Sequence, residues 1–241
     1  MSISFSDTTT NTGILQQVRK LMRVDTNQWP TANVVASVNN WHDYVTGYAI
    51  GADNRFDWDD TNHSKLPIGT TNLVANQSDY SFLTDEQGNS IITLTRIDIL
   101  DTDGLYRPLT LIHKDDIPLA IDEYKKTAAL PQEYIKLGDN IIRLKPKPLV
   151  SVPAGLQFHF QRTGSYFVAA DTTKSPGVSP LLHRGYVIAA AYDGALTLGL
   201  QNLQGLGAER QLEEQKMIKY FASRNEDEQY LSIGGECVNS Q

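Results

Sequence analysis

The sequence predicts an α+β fold: an antiparallel helix bundle built from the N- and C-terminal segments, with an inserted antiparallel β-rich module. Two observations predict it. Helical periodicity dominates up to about residue 51 and again after Ser179-Pro180, whereas between them apolar residues alternate with a period of two and turn residues punctuate the runs. The chain of 241 residues, with 40% hydrophobic content, is also long enough to bury a sizeable core. On this pattern residues 1–55 carry the first bundle helices, 56–170 the β-rich module, 171–225 the last bundle helices, and 226–241 an extended tail.

The elements follow in order. Residues 12–24 form an amphipathic helix with Ile14, Leu15, Val18, Leu21 and Met22 on one face, and Asn11 or Thr12 supplies its cap. A second helix opens near Pro30, a residue suited to a first turn. It carries Val34, Val35, Val38, Trp41, Tyr44, Val45 and Tyr48, and stops around Gly51. Residues 90–100 (SIITLTRIDIL) alternate as a half-buried strand does. Asp101-Thr102-Asp103-Gly104 then turns the chain, with Gly104 at positive φ, into a return strand at 105–112.

Residues 116–129 read as a short helix. A second hairpin pairs 134–137 with 141–144 about a turn at 138–140, and Pro146 and Pro148 end it. Residues 156–162 (LQFHFQR) alternate again. Ser179 caps a helix with Pro180 at its first position, and residues 181–200 are apolar almost all round and rich in Ala and Gly, as in a helix buried on several sides. A charged helix at about 206–224 ends the bundle, with Leu212, Met217, Ile218 and Phe221 as an uneven stripe. Gly205-Leu206-Gly207 reads as the joint before it.

Catalytic and metal-binding signatures do not emerge. His42, His63, His113, His159 and His183 are scattered, none has a second ligand at metal-site spacing, and each reads as structural or surface. His159, between Phe158 and Phe160, is expected to face solvent or a neighbouring subunit. Asp53, Asp57, Asp59 and Asp60 form an acidic cluster, but position six from Asp57 is not glycine and position twelve is Ile68, so a solvated loop explains it better than a cation site. There is no GxSxG nucleophile setting and no phosphate-binding glycine loop. The aromatics Trp29, Trp41, Trp58, Tyr80, Tyr134, Phe158, Phe160, Tyr166 and Phe167 lack the basic interleaving of a base-stacking surface, and are expected in cores and interfaces. The chain is therefore expected to be no enzyme and to hold no cofactor or metal.

The formal charge of −7 argues against general nucleic-acid affinity, because phosphate binding is driven by Lys and Arg displacing counterions. The lone Cys237 makes no internal disulfide. The absence of a signal peptide or spanning segment leads us to expect assembly in a cytoplasm, with no membrane partner.

Four stretches in order carry a resemblance. Residues 72–82 (NLVANQSDYSF) look like a strand entering a β-module. Residues 130–148 (LPQEYIKLGDNIIRLKPKP) show proline, tyrosine, a tight turn, an apolar strand and a Pro-x-Pro exit. Residues 156–161 supply the next strand, and 179–200 the helix after a proline. In this the chain resembles, over about residues 10–225, the head-to-tail adaptor (connector) proteins of tailed phages, the tail tubular protein A-like group. Compared with that group the inserted module is long, and the segment beyond Arg224 is short and acidic.

The resemblance implies a homo-oligomeric ring of about twelve copies in the virion neck, docked under the portal protein and contacting tail or nozzle proteins. Double-stranded DNA would pass through its lumen without specific binding, for which an acidic surface is suited. The helices would form the ring body and the β-module would project outward or toward the tail. Within that picture Tyr230, Leu231 and Ile233, apolar residues in a polar tail, are expected to dock the portal. Other readings stay open: a stopper or tail-completion protein, a soluble β-rich module binding carbohydrate or a small ligand, or a hydrolase using an acid pair.

Overall fold

The computed structural model describes residues 3–52, 68–85, 88–113, 115 and 128–233, with residues 52 and 223–233 described by backbone alone. It divides into two compact units. One holds the described residues up to 52 and those from 164 onward; the other holds 68–163.

The first unit is helical: α1 (Ile14–Met22), α2 (Thr31–Ala52), α3 (His183–Leu198) and α4 (Leu203–Ile233). Helix α3 packs against the other three. It can do so because its faces are small: Gly185, Ala189, Ala190, Ala191, Gly194 and Ala195 are all buried. A Cβ on Gly194 would lie 2.3 Å from Met22 and 3.1 Å from Trp29, so glycine lets α1 and the turn before α2 close onto α3. Ser179 caps the 3₁₀ turn Pro180–Leu182 that opens α3, its side chain accepting from the Leu181 N–H as the sequence predicts.

Three expectations here need correction. Helix α1 has no side-chain cap from Asn11 or Thr12. Gly13 is its first flanking residue, and two otherwise unpaired N–H groups, of Ile14 and Leu15, donate to the Ser4 and Phe5 carbonyls at 2.9 Å. The joint between the last helices is at Gly199, left-handed at φ 62°, and not at Gly205-Leu206-Gly207, which lies inside α4. Helix α4 also runs past Arg224 to Ile233, so residues 226–233 are helical rather than extended.

The stripe on α4 is uneven because its buried ridge is Leu206, Glu213, Met217 and Phe221, a 3–4 spacing that includes an acid, while Leu212 and Ile218 are exposed. Residues 164–170, expected in the β-module, belong to the helical unit. Phe167 stacks on Phe5 at 5.4 Å, and its backbone exchanges hydrogen bonds with the Asn39 amide.

The second unit is β-rich. Its strands are β1 (Ile68–Leu73), β2 (Asp79–Ser81), β3 (Ile91–Leu100), β4 (Tyr106–Pro108), β5 (Thr110–Leu111), β6 (Ala128–Ala129), β7 (Glu133–Gly138), β8 (Ile141–Lys145), β9 (Lys147–Pro148) and β10 (Val152–Arg162). They form sheets of order β1-β10-β3-β4 and β2-β8-β7-β5, and a β6-β9 pair. Alternation on β3, β8 and β10 sends Leu94, Ile97, Ile99, Ile142, Leu144, Leu156, Phe158 and Phe160 into one core with Tyr80, Phe82 and Tyr134. Both predicted hairpins are present, and Gly104 takes φ 80° in the first turn.

The return strand of that first hairpin is not continuous. Leu109 donates to Ile97 in one sheet and Thr110 to Gln132 in the other, so the chain changes sheets between them. This makes the β5–β7 pair parallel, as is β6–β9, where a wholly antiparallel module was expected. Of the expected helix at 116–129, Ala128 and Ala129 are strand and the remainder lies outside the described residues.

Candidate assembly surface

Helix α2 presents two faces. Val34, Val38, Trp41 and Val45 are buried, as their spacing predicts. Tyr44, grouped with them in the sequence, is instead 38% exposed, and Tyr48 is half-buried beside it with rings 5.0 Å apart. The two phenols border an open groove of about 680 Å³ between α2 and α4, lined also by Asp43, Gly47, Gly51, Ile218, Phe221 and Ala222. Gly47 and Gly51 would place a Cβ in open space, so they bare the α2 backbone to the groove.

Polar groups gather on the groove's rim. The Tyr44 hydroxyl donates to Glu214 and lies 3.4 Å from the Tyr48 hydroxyl. The bond to Glu214, seconded by Tyr48, pushes the Tyr44 phenol above its ordinary range. Asp43 accepts from the Tyr166 hydroxyl at 2.7 Å. Neither Asp43 nor Glu214 has a Lys or Arg partner among the described residues. The floor is thus apolar and the rim anionic. Sequence spacing groups Tyr44 and Tyr48 with the apolar residues of α2; only Asp43 and the two glycines on that side hint that they border a groove.

The N-terminal segment is built into the helical unit. Phe5 is fully buried, and the Phe5 and Ser6 N–H groups donate to the Lys174 and Thr172 carbonyls at 2.6 and 3.3 Å. His183, buried at the start of α3, accepts from the Ile3 N–H through Nδ1 and donates to the Val178 carbonyl through Nε2, both at 3.0 Å. His42 is buried too, with Nδ1 2.7 Å from the Tyr186 hydroxyl. In the β-unit, His159 is mostly buried, not solvent-facing, and lies 3.4 Å from the buried Asp98, which also accepts from Arg96 at 2.6 Å. His113 is exposed. His63, Trp58 and the cluster of Asp53, Asp57, Asp59 and Asp60 lie outside the described residues.

Tyr230, Leu231 and Ile233 fall in the last turns of α4, where the structure describes backbone only. Elsewhere the helical unit exposes Leu181 at 76%, Leu212 at 56% and Leu196 at 56%. Leu181 and Leu212 each stand three residues from a partner in the Arg184–Glu209 ion pair, which joins α3 to α4 at 2.9 Å. Among the described residues no group of three or more His, Cys, Asp or Glu is poised for a metal, and no helix is long and apolar enough to cross a membrane.

The chain thus has two units, one helical and discontinuous in sequence and one β-rich and inserted between its halves. The sequence profile of the SU10 adaptor protein family matches residues 9–233, nearly the whole chain and both units. The chain belongs to this family of phage head-tail adaptors. Structural adaptors of this kind are typically non-enzymatic. No curated protein sequence matches the chain.

Proposed function

We propose that the protein forms a closed ring at the neck of a tailed phage, between the portal and the tail, and serves as a conduit for the genome during packaging, retention and ejection. The family match across both units carries this reading. In it the helical unit is an antiparallel bundle forming the ring body, about twelve copies close on themselves by heterologous contacts, and the β-unit reaches outward or toward the tail. The end of α4, with Tyr230, Leu231 and Ile233, docks the portal. The formal charge of −7, with 28 acids against 21 Lys and Arg, supports a lumen that lets DNA slide, since the net charge opposes general phosphate binding.

The reading is tested by assembling particles without this protein. Heads should package DNA but fail to acquire tails and lose their genomes. Complete, infectious particles formed in its absence would refute the role.

A further inference from the structure

The groove between α2 and α4 is apolar in its floor, anionic on its rim and open at Gly47 and Gly51, which suits it to a partner that brings aliphatic side chains flanked by cations. The same helical unit carries such a surface elsewhere. At the C-terminal corner of α1, Lys20 and Arg23 are exposed and alternate with the half-buried Leu21 and Val24. Arg23 takes the left-handed conformation that ends the helix, φ 59° and ψ 42°, which fixes the corner's shape. Neither Lys20 nor Arg23 has a carboxylate partner among the described residues, because the nearby Asp25 is turned into its own loop, accepting from the Asn27 and Gln28 N–H groups. Arg19, the third cation of the helix, is spent inside the unit on the Trp29 carbonyl and the Thr31 hydroxyl.

We infer that the α1 corner of one copy, Lys20 to Val24, seats in the α2–α4 groove of the next copy, with Lys20 and Arg23 meeting Asp43 and Glu214. The inference rests on the ring reading and names its subunit contact. Two different patches of one chain meet, so the contact is heterologous, the kind that generates rings when its rotation closes. The glycines of α2 let the incoming backbone approach. Tyr44 and Tyr48 offer flat apolar area with polar tips, and the charges of each patch, which have no oppositely charged partner among the described residues of their own chain, meet one across the contact.

Charge reversal on each side tests it, read by particle mass of the full-length protein alone and mixed with its portal. Lys20→Glu with Arg23→Glu breaks no side-chain hydrogen bond among the described residues, and circular dichroism checks its fold; Asp43→Lys with Glu214→Lys is the reciprocal variant. Each double variant is expected to weaken association by about tenfold or more, because like charges then face each other. Mixing the two, or combining all four changes in one chain, is expected to restore association. Association undiminished in the Lys20/Arg23 variant would overturn the contact and leave the ring reading standing. A wild-type protein that stays monomeric both alone and with the portal would overturn the ring reading itself, and the contact with it.

Discussion

The imidazole of His183 accepts a hydrogen bond from the Ile3 N–H, and that bond exists only while Nδ1 is unprotonated. Burial holds its pKa below the ordinary 6.5, against the opposing pull of the carbonyls it faces. A folded-state pKa below the unfolded one means that the unfolded chain takes up the proton more readily. The stabilisation is therefore complete above pH 6.5 and lost as pH falls through 6.5 toward the lowered folded value. Melting curves of the wild type should decline over that window, and His183→Gln should flatten the decline. Equal slopes for both proteins would contradict this role.

The N-terminal segment is held by packing as well. Phe5 is fully buried against Phe167, so Phe5→Ala should cost about 3–5 kcal/mol in urea denaturation, the usual range for a buried phenylalanine. A loss below about 1 kcal/mol would mean that the segment is not part of the core.

Gly164 lies against the other side of His42: a Cβ there would fall 2.0 Å from Nε2. His42 cannot easily retreat, being buried and bonded to Tyr186. Gly164→Ala should destabilise by about 1–3 kcal/mol through overpacking. A double-mutant cycle with His42→Ala should recover part of that loss, because the two sites share one space. Strict additivity would show that the clash is relieved elsewhere.

Which features were legible in the sequence follows from whether their causes are local. The faces of α1 and α2, the Asp101–Gly104 turn and the Ser179-Pro180 start were readable because spacing and turn chemistry act over a few residues. Phe5 was not, since its short segment shows no helical or sustained strand pattern and its partners, Phe167 and the carbonyl of Lys174, are distant in the chain. The sheet change after Leu109 was hidden because apolar alternation says nothing about which strand is the partner. Gly199 and Gly205 look alike in sequence, and only the left-handed backbone at Gly199 separates them. The groove was missed because Tyr44 and Tyr48 fit the apolar spacing of α2, and spacing along one helix does not say that its neighbour leaves them open.

Removing residues 226–241 should leave the helical unit folded, since the buried ridge of α4 from Leu206 to Phe221 stays intact. Portal binding in a pull-down with the shortened chain should be lost, and within this region Tyr230→Ser, Leu231→Ser and Ile233→Ser together should reproduce the loss. Undiminished binding by the shortened chain would place portal docking on another surface.

A closed ring at the head-tail junction is tested by particle mass and negative-stain shape for the protein alone and mixed with its portal. Rings of roughly 320 kDa, about twelve subunits of 26.8 kDa, or the same number bound on each portal, are expected. A 26.8 kDa monomer that ignores the portal would contradict it.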